Sequence, residues 1–290
     1  MEFDFDWVDA FSDKPFGGNG CAVVHEGAEL SDETCMAYVR ETSLVECTFT
    51  GPSDIADFKV KYFLASREIP FAGHPTIATV AALLHRGKIG EGKLTLETGA
   101  GIVPVEVADG QITMRQIAPS FGQQVPVGLV ASVGGITSAD IIAPPQIVST
   151  GLPFCITVVR DKSILEKLRF DTTAFDAYCR HLGADSDMME PYWITLEGAT
   201  EVGDTFARLL LAPPSPAEDA FTGSATGAAA SYLWHHGLIK SPIYVAQQGH
   251  TMGRPGQAQV EVLGTADEIT GVLVTGQGVV VMSGTAYFDG

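Results

Sequence analysis

The sequence has 290 residues, which is enough for two domains of ordinary size. Apolar residues make up 46% and charged residues 18%, a composition typical of folded globular proteins and not of disordered chains. The formal net charge of −18 disfavours nucleic acid and anionic membranes as partners, because no Lys/Arg cluster offsets it. The acidic N-terminus and the lack of any apolar run near ~18 residues predict a cytoplasmic protein without a signal peptide or a membrane span.

The first half of the chain is predicted to consist mainly of strands. Residues 3–11 alternate apolar and acidic side chains, which is the period of a half-buried strand. Ser31 and Glu33 suit the N-cap and first turn of a helix over residues 31–43. The other predicted elements are a turn at 14–20, strands at 21–27, 46–51 and 57–66, a helix after residue 71, and three strands within 93–119.

The second half is predicted to repeat this order of elements. A segment at 119–127 is expected to cross between the halves, and residues 163–182 are expected to form one polar helical region. The other predicted elements are a short helix at 127–133, a turn and strand within 149–161, strands at 192–198 and 206–213, a helix after residue 221, and three strands from residue 243.

Two stretches, 71–89 and 221–239, carry the same pattern at a constant shift of 150 positions. They match at Phe71/Phe221, Gly73/Gly223, Thr76/Thr226, Ala78/Ala228, Leu83/Leu233, His85/His235, Gly87/Gly237 and Ile89/Ile239. The acidic residue before each stretch also matches, as Glu68 and Glu218. Eight matches in nineteen positions without a gap predict an internal duplication.

Each repeated stretch is predicted to form a buried helix, because its middle is apolar or small on all sides. A short glycine-containing turn opens each helix and a glycine closes it. The free N–H groups and the positive dipole end at each N-terminus form a favourable anion site. The two helices therefore suggest a binding site for a small molecule that bears a carboxylate.

The sequence predicts neither a metal site nor a redox site. The five cysteines are scattered without a C-x-x-C pair and are expected to be reduced and mostly buried. His235 and His236 are adjacent on a helix, so their side chains point about 100° apart and cannot both face one metal. The glycine-rich stretches lack the lysine and the spacing of a nucleotide-binding loop. We therefore expect a protein without a cofactor.

Six segments together resemble the PhzF-like phenazine-biosynthesis isomerase family, which has the diaminopimelate epimerase fold. They are FSDKPFGGNG, VRETSLVECTF, EIPFAGHPT, STGLPF, AEDAFTGSATG and QGHTMGRP. The resemblance covers nearly the whole chain. It implies an α+β fold of two pseudo-symmetric domains, each an antiparallel barrel wrapped around a central helix, with the active site in the cleft between them. The expected domains are residues 1–120 with the last strand at about 278–290, and residues 121–277.

The resemblance also implies three catalytic residues. Glu46 matches the family's catalytic glutamate and would be the principal general acid/base, a role that suits a carboxylate whose pKa is raised by an apolar site. His74 follows the glycine that opens the first repeated helix, where the helix dipole favours a neutral ring. Asp219 precedes the second repeated helix and would relay a proton or hold a substrate amine or hydroxyl.

Five residues are expected to bind the substrate. Asn19 and Gly73 lie in glycine-containing turns that backbone or ligand can approach closely, although a plain turn explains the glycines around Asn19 equally well. Ser224 takes the place of His74 in the second repeat, and its hydroxyl with the N–H groups of Gly223 and Ala225 would hold a carboxylate. Arg254 belongs to a matching segment, and either a structural or a functional role fits it.

The candidate site favours isomerisation over epimerisation by two cysteines. Related epimerases use one cysteine at each helix start, and neither EIPFAGHPT nor EDAFTGSATG contains one. A single carboxylate on one face suits a proton shift between carbons of that face. Two alternatives remain open: a small-ligand-binding or interaction protein without turnover, and a cysteine-independent epimerase or racemase. The resemblance further implies a small anionic substrate and a homodimer.

Overall fold

A computed structural model describes residues 1–183, 190–213 and 215–288. In these residues the chain has a mixed α+β fold with eighteen strands and six α-helices. It divides into two compact units. Unit 1 comprises Met1–Arg115 with Thr275–Gly290, and unit 2 comprises Gln116–Val274. No helix in the described part of the chain is long and apolar enough to cross a membrane.

The elements follow one another in a similar order in the two halves of the chain. The first half contains β1 (Glu2–Ala10), β2 (Asn19–Val24), α1 (Asp32–Thr42), β3 (Cys47–Gly51), β4 (Phe58–Phe63), β5 (Glu68–Ile69), α2 (Gly73–His85), β6 (Gly92–Thr98), β7 (Gly101–Ala108) and β8 (Gln111–Gln116). The second half contains β9 (Ser120–Gln124), α3 (Val127–Val133), β10 (Gln146–Ser149), β11 (Pro153–Val158), α4 (Lys162–Lys167), α5 (Thr172–Leu182), β12 (Tyr192–Thr195), β13 (Thr205–Leu210), β14 (Glu218–Asp219), α6 (Gly223–His235), β15 (Ile243–Gln248), β16 (Gly256–Gly264), β17 (Ile269–Gly276) and β18 (Gly278–Tyr287). Short 3₁₀ turns lie at Ser138–Asp140 and His250–Met252.

Unit 1 is held together by a series of neighbouring strand pairs. Strand β1 lies between β18 and β2 and is antiparallel to both. Strand β2 then pairs in parallel with β3, which is antiparallel to β4. Strand β4 pairs with β5 and, in parallel, with β6, and the antiparallel series β6, β7 and β8 follows. The first and last strands of the chain are therefore neighbours within this unit.

Unit 2 has the same sequence of pair types. Strand β10 lies between β9 and β11 and is antiparallel to both. Strand β11 pairs in parallel with β12, which is antiparallel to β13. Strand β13 pairs with β14 and, in parallel, with β15, which is antiparallel to β16. Each strand pair of this series has a counterpart of the same direction in unit 1.

One enclosed helix packs on the strands of each unit. The first eleven residues of both α2 and α6 are buried, as their small and apolar composition predicts. Helix α2 packs against β1, β2 and β18, and α6 packs against β10, β11 and β16. Both helices end in the same way, with Gly87 and Gly237 at φ of 65° and 64°. In each case the next residue donates its N–H to the carbonyl five positions earlier, which is the bond of a Schellman stop.

Two predicted elements differ from the structure. The polar region at 163–182 is not one helix but two, α4 and α5, because Asp161 and Asp171 each cap a helix start by accepting from Ile164 N and Ala174 N. The segment at 119–127 is not a plain crossing, since it contains β9, which pairs antiparallel with β10. Apart from the half-buried Phe121, the residues of β9 are exposed and are polar or glycine, so the sequence lacks the alternation of a half-buried strand.

Candidate active site

Three predicted site residues of unit 1 lie close together. Asn19 begins β2, Glu46 immediately precedes β3, and His74 is the second residue of α2. Because β2 and β3 are parallel and start side by side, Asn19 and Glu46 lie at the same ends of neighbouring strands. All three side chains are buried, with exposures of 4% for Asn19, 8% for Glu46 and 2% for His74. The structure therefore brings these predicted residues together.

The imidazole of His74 is a neutral ring with two different surroundings. Its Nδ1 lies 3.0 Å from Asn19 Nδ2 and 3.6 Å from Glu46 Oε2. Burial lowers the pKa of His74 to about 3, because the surrounding protein disfavours the charged ring. Its Nε2 is buried and has no hydrogen-bond partner among the described residues. The ring is thus anchored on one side and presents an unsatisfied nitrogen on the other.

The start of α2 leaves its backbone N–H groups open. Helices α1, α4 and α5 are each capped by a side chain of the preceding residue, whereas Ala72 precedes α2 and no side chain caps it. Gly73 and His74 therefore direct their N–H groups out of the helix without an intrahelical acceptor. The turn is held instead by Thr76, whose hydroxyl lies 2.6 Å from the carbonyl of Ala72 and 2.8 Å from Tyr62 Oη. An anionic group can bind at such a helix start.

Asp219 is the corresponding acidic residue of unit 2. It ends β14, is 3% exposed, and its Oδ2 accepts a 2.5 Å hydrogen bond from the hydroxyl of Thr222. Gln248 donates to the Asp219 carbonyl at 2.8 Å and accepts from the N–H of Thr222 at 3.0 Å. These bonds fix both the backbone and the side chain of the segment that leads into α6.

The start of α6 is also uncapped by a side chain. The hydroxyl of its N-cap residue Thr222 is bonded to Asp219 and does not accept from the helix. The first residues of α6, Gly223, Ser224 and Ala225, are buried, and their N–H groups have no acceptor within the helix. The structure therefore groups the predicted residues of unit 2 at one helix start, with a hydroxyl at Ser224 beside three backbone donors.

Gln116 holds the first turn of α6 in place. Its Nε2 donates to the Gly223 carbonyl at 2.9 Å, and its Oε1 accepts from the Thr150 hydroxyl at 2.5 Å. A Cβ at Gly227 would lie 1.9 Å from Gln116 Oε1, so only glycine fits there without displacing the glutamine. Glycine at this position therefore serves the contact between the helix and Gln116.

A largely buried ion pair supports the strand that carries Asp219. Arg208 on β13 donates from Nε and Nη2 to both carboxylate oxygens of Glu218, at 2.8 and 2.6 Å. Its Nη1 donates to the Leu165 carbonyl at 2.6 Å. A bidentate pair of this kind fixes geometry as well as charge. In unit 1 the corresponding pair, Lys61 and Glu68, is longer at 3.6 Å and more exposed.

Sequence reasoning missed the residues that support the site. Gln248 lies in the matching segment QGHTMGRP, so the resemblance could have identified it. Gln116 and Arg208 lie in ordinary strands and give no signal without the structure. Arg254 closes the loop after β15 by donating its N–H to the Gly249 carbonyl at 3.1 Å.

The thiols and histidines offer little alternative chemistry. Burial raises the pKa of both Cys47 and Cys155 to about 12, so neither is a thiolate at neutral pH. His235 Nδ1 lies 2.8 Å from the Ala266 carbonyl, while His236 Nε2 lies 2.9 Å from Gln146 Oε1. The described residues contain no group of three or more side chains suited to binding a metal ion.

Comparison with known proteins gives consistent matches over most of the chain. The family described as "Phenazine biosynthesis-like protein" matches residues 8–284. The "Uncharacterized isomerase YfhB" of Bacillus subtilis is 29% identical and covers 88% of both chains. The "Trans-2,3-dihydro-3-hydroxyanthranilate isomerase" of Pseudomonas aeruginosa is also 29% identical and covers 97% of this chain and 98% of its own.

A solved structure agrees with these matches. The phenazine biosynthesis protein of the PhzF family from Bacillus anthracis superposes with a TM-score of 0.86 at 25% identity. The match covers 99% of this chain and 100% of the other. The resemblance found in the sequence motifs is thus confirmed by the family match and by the relatives. The chain belongs to the phenazine biosynthesis-like family and is an isomerase.

Proposed function

We propose that this protein is a cofactor-independent isomerase that moves a proton between carbons of a small, carboxylate-bearing substrate. Glu46 would be the general acid/base. The observation that carries the proposal is the buried group formed by Glu46 and a neutral His74 at an uncapped helix start in unit 1. Ligand binding needs no buried carboxylate beside a neutral imidazole, whereas proton transfer at carbon needs a positioned general acid/base, which Glu46 would supply.

The other residues would bind and orient the substrate. The N–H groups of Gly223, Ser224 and Ala225, with the Ser224 hydroxyl, would hold a carboxylate at the start of α6. Asp219, which Thr222 and Gln248 hold in place, would act on a hydroxyl or an amine of the substrate. Asn19 and Gly73 would complete the part of the site in unit 1.

Epimerisation with two cysteines is disfavoured as an alternative. Gly73, His74, Gly223 and Ser224 occupy the two helix starts where such enzymes carry their thiols. A cysteine-independent epimerase remains a second proposal, and its distinguishing mark would be hydrogen exchange at a stereocentre without movement of a double bond. A protein that binds ligand without turnover would show neither.

We further propose that each unit is a barrel wrapped around its buried helix and that the two units arose by duplication. The equal order of parallel and antiparallel strand pairs supports this, as do the identical Schellman stops at Gly87 and Gly237. The cytoplasmic location, the small anionic substrate and the homodimer are part of the same proposal. The proposed reaction uses neither a metal nor an organic cofactor.

The test is proton exchange at carbon in D₂O, followed by NMR. A panel of unsaturated and hydroxylated amino and carboxylic acids would be used, including trans-2,3-dihydro-3-hydroxyanthranilate because a relative carries that name. The wild type is expected to incorporate deuterium at a carbon or to shift a double bond in at least one compound. Glu46→Gln is expected to lower that rate by about 10² to 10⁴-fold, since it removes the general acid/base.

The matched control is Glu41→Gln, which makes the same change on an exposed part of α1. It should retain the wild-type rate. If compounds bind equally to wild type and Glu46→Gln and neither exchanges a carbon-bound proton, the protein is a ligand-binding protein and the assignment of Glu46 fails. Exchange that persists in Glu46→Gln would place the base elsewhere.

A further inference from the structure

The two nitrogens of the His74 ring are bound differently, and the difference identifies where its proton lies. Nδ1 is 3.0 Å from the amide nitrogen of Asn19, both groups being buried. An amide nitrogen only donates hydrogen bonds, so Nδ1 must accept this one. A neutral imidazole has one donor and one acceptor nitrogen. With Nδ1 accepting, the proton of the ring is on Nε2.

We propose that Asn19 is a positioning residue that holds His74 as the neutral tautomer protonated on Nε2, so that the ring donates a hydrogen bond to the substrate through Nε2. The tautomer follows from contacts within unit 1 alone. Its use in catalysis rests on the proposed function, in which His74 faces the substrate. Asn19 then acts through His74 and does more than line a turn.

The unsatisfied Nε2 supports a role in binding a ligand. Nε2 is buried and lacks a hydrogen-bond partner among the described residues. A buried donor without an acceptor loses the hydrogen bonds that it makes to water in the unfolded chain, which is why such groups are rare in folded proteins. An oxygen of a bound substrate would supply the missing acceptor. Negative charge that develops on that oxygen would strengthen the bond.

The environment keeps the ring neutral, as the proposal requires. Burial lowers the pKa of His74 to about 3. The positive end of the α2 dipole also disfavours a charged ring at the second helix position. A neutral ring can switch tautomers, however, so its neutrality alone does not decide which nitrogen carries the proton. The contact with Asn19 determines the tautomer, because the amide of Asn19 donates to Nδ1 and leaves the ring proton on Nε2.

The rival arrangement is a Glu46–His74 dyad in which Nδ1 carries the proton and donates it to the carboxylate. Glu46 Oε2 is 3.6 Å from Nδ1, which is too long for a hydrogen bond. The shorter contact is that of Asn19. In the proposed arrangement Nδ1 passes no proton to Glu46, and the two side chains act on the substrate separately.

The sequence makes a direct test possible, because Asn19 is its only asparagine. Full-length protein labelled with ¹⁵N in asparagine and histidine gives one asparagine side-chain amide signal. We expect a scalar coupling across the hydrogen bond between this amide nitrogen and His74 Nδ1. The His74 Nε2 signal should be that of a protonated nitrogen, and Nδ1 that of an unprotonated one. His74→Gln assigns the signals among the seven histidines.

Two variants sharpen the test. Asn19→Asp replaces the donor by an acceptor of the same shape, so the proton should move to Nδ1. Glu46→Gln should leave the tautomer unchanged. A wild-type ring protonated on Nδ1, or a tautomer that changes in Glu46→Gln, would overturn the proposal in favour of the dyad. The wild-type spectrum decides the tautomer even if a variant does not fold.

Failure of this inference can be told from failure of the proposed function. If no compound exchanges a carbon-bound proton while Nε2 is protonated, the proposed function fails and the tautomer assignment stands. If a compound does exchange, its addition should shift the Nε2 signal and preserve the tautomer. A shift confined to Nδ1 would instead overturn the assignment of Nε2 as the donor to the substrate.

Discussion

At the scale of single residues, burial of ionisable groups governs both chemistry and stability. His74 is the clearest case, since its pKa falls to about 3 in the folded protein from an ordinary value of 6.5. Above pH 6.5 the ring is neutral in folded and unfolded chains, so it adds no dependence on pH. Below pH 6.5 the His74 ring binds a proton in the unfolded chain but stays neutral in the folded protein. His74 therefore makes the protein less stable as the pH falls from 6.5 towards 3.

We predict that His74→Gln removes this acid sensitivity. Between pH 7.5 and pH 5 the wild type should lose about 2 kcal/mol more free energy of unfolding than the variant, from a slope that approaches 1.4 kcal/mol per pH unit. Urea unfolding at the two pH values measures the difference. His85→Gln is the control, since His85 ends the same helix and is not buried. Equal losses in wild type and His74→Gln would contradict the prediction.

Glu46 illustrates how far the sequence alone reaches at this scale. A glutamate before a strand is ordinarily a surface charge, and only the resemblance identifies Glu46 as a site residue. The structure adds that it is buried beside His74. Gln116 could not be predicted, because its hydrogen bond joins segments that are 107 residues apart in sequence. Gln248 lies in a segment that carries the resemblance, but its bond to Thr222, 26 residues away, is not evident from the sequence.

At the scale of elements, corresponding ion pairs in the two units differ in burial. Arg208 and Glu218 form a bidentate pair between β13 and β14, and their side chains are each 10% exposed. Lys61 and Glu68 join β4 and β5 at 3.6 Å, with side chains 17% and 35% exposed. Solvent weakens the attraction between Lys61 and Glu68, which are the more exposed pair. In the less exposed pair, Arg208 and Glu218, removing one partner leaves the other as a poorly solvated charge, which costs stability.

We predict that Arg208→Met destabilises unit 2 by about 2 to 4 kcal/mol, because the Glu218 side chain, which is only 10% exposed, loses its cation and keeps, among the described residues, only the hydrogen bond from Thr251. Lys61→Met at the corresponding position of unit 1 should cost no more than about 1 kcal/mol. Urea unfolding of both variants tests the contrast. Adding Glu218→Met to Arg208→Met should restore much of the stability. Equal effects in the two units would show that burial does not set the cost.

The contact between α6 and Gln116 yields a second prediction at this scale. Gly227→Ala should destabilise the protein by about 1 to 3 kcal/mol, although alanine favours helices by about 1 kcal/mol over glycine. The new Cβ would displace Gln116 Oε1 and break its bonds to Thr150 and Gly223.

The double variant Gly227→Ala with Gln116→Ala isolates this contact. Its effect on the free energy of unfolding should be smaller than the sum of the two single effects, because the Gln116 side chain that the new Cβ would meet is no longer there. Thermal or urea unfolding of all four proteins completes the cycle. Additive effects would mean that the clash is not the cause.

Among the elements, the repeated helices were predictable and the break between α4 and α5 was not predicted. Helices α2 and α6 have a repeated pattern with a glycine stop, which the structure confirms at Gly87 and Gly237. The start of α5 does have a sequence signal, because Asp171 is a residue type that often caps a helix N-terminus. The signal is ambiguous, since an aspartate followed by two threonines can also lie within a helix. Strand β9 gives no such signal because, apart from the half-buried Phe121, its residues are exposed and are polar or glycine.

At the scale of the whole molecule, unit 1 is assembled from both ends of the chain. Strand β18 pairs with β1, and Phe288 donates its N–H to the Met1 carbonyl at 2.8 Å. Asp6 on β1 accepts hydrogen bonds from Arg86, His25 and Ser283, the last of these on β18. Although burial alone would raise its pKa, these hydrogen bonds lower the pKa of Asp6 to about 2.

We predict that Asp6→Asn destabilises unit 1 at pH 7 by about 2 kcal/mol or more. The wild-type carboxylate contributes stability that is complete above its ordinary pKa of 3.8 and is lost as the pH falls towards 2. The difference between wild type and Asp6→Asn should therefore shrink between pH 5 and pH 2. Urea unfolding across that range measures it, with Asp13→Asn on the exposed loop after β1 as control. A constant difference would show that Asp6 is not the titrating group.

The neighbouring chain ends also determine the order in which the protein can be built during synthesis. All strands of unit 2 lie in one continuous segment, so they are available to pair as soon as that segment has left the ribosome. Unit 1 must wait for β18, which is made after all of unit 2, before β1 gains its second neighbour. Residues 1–115, which include the Asn19–His74 contact, therefore remain without β18 while unit 2 is made. We expect a nascent chain arrested before residue 278 to protect unit 2 from proteolysis and to leave unit 1 open to it.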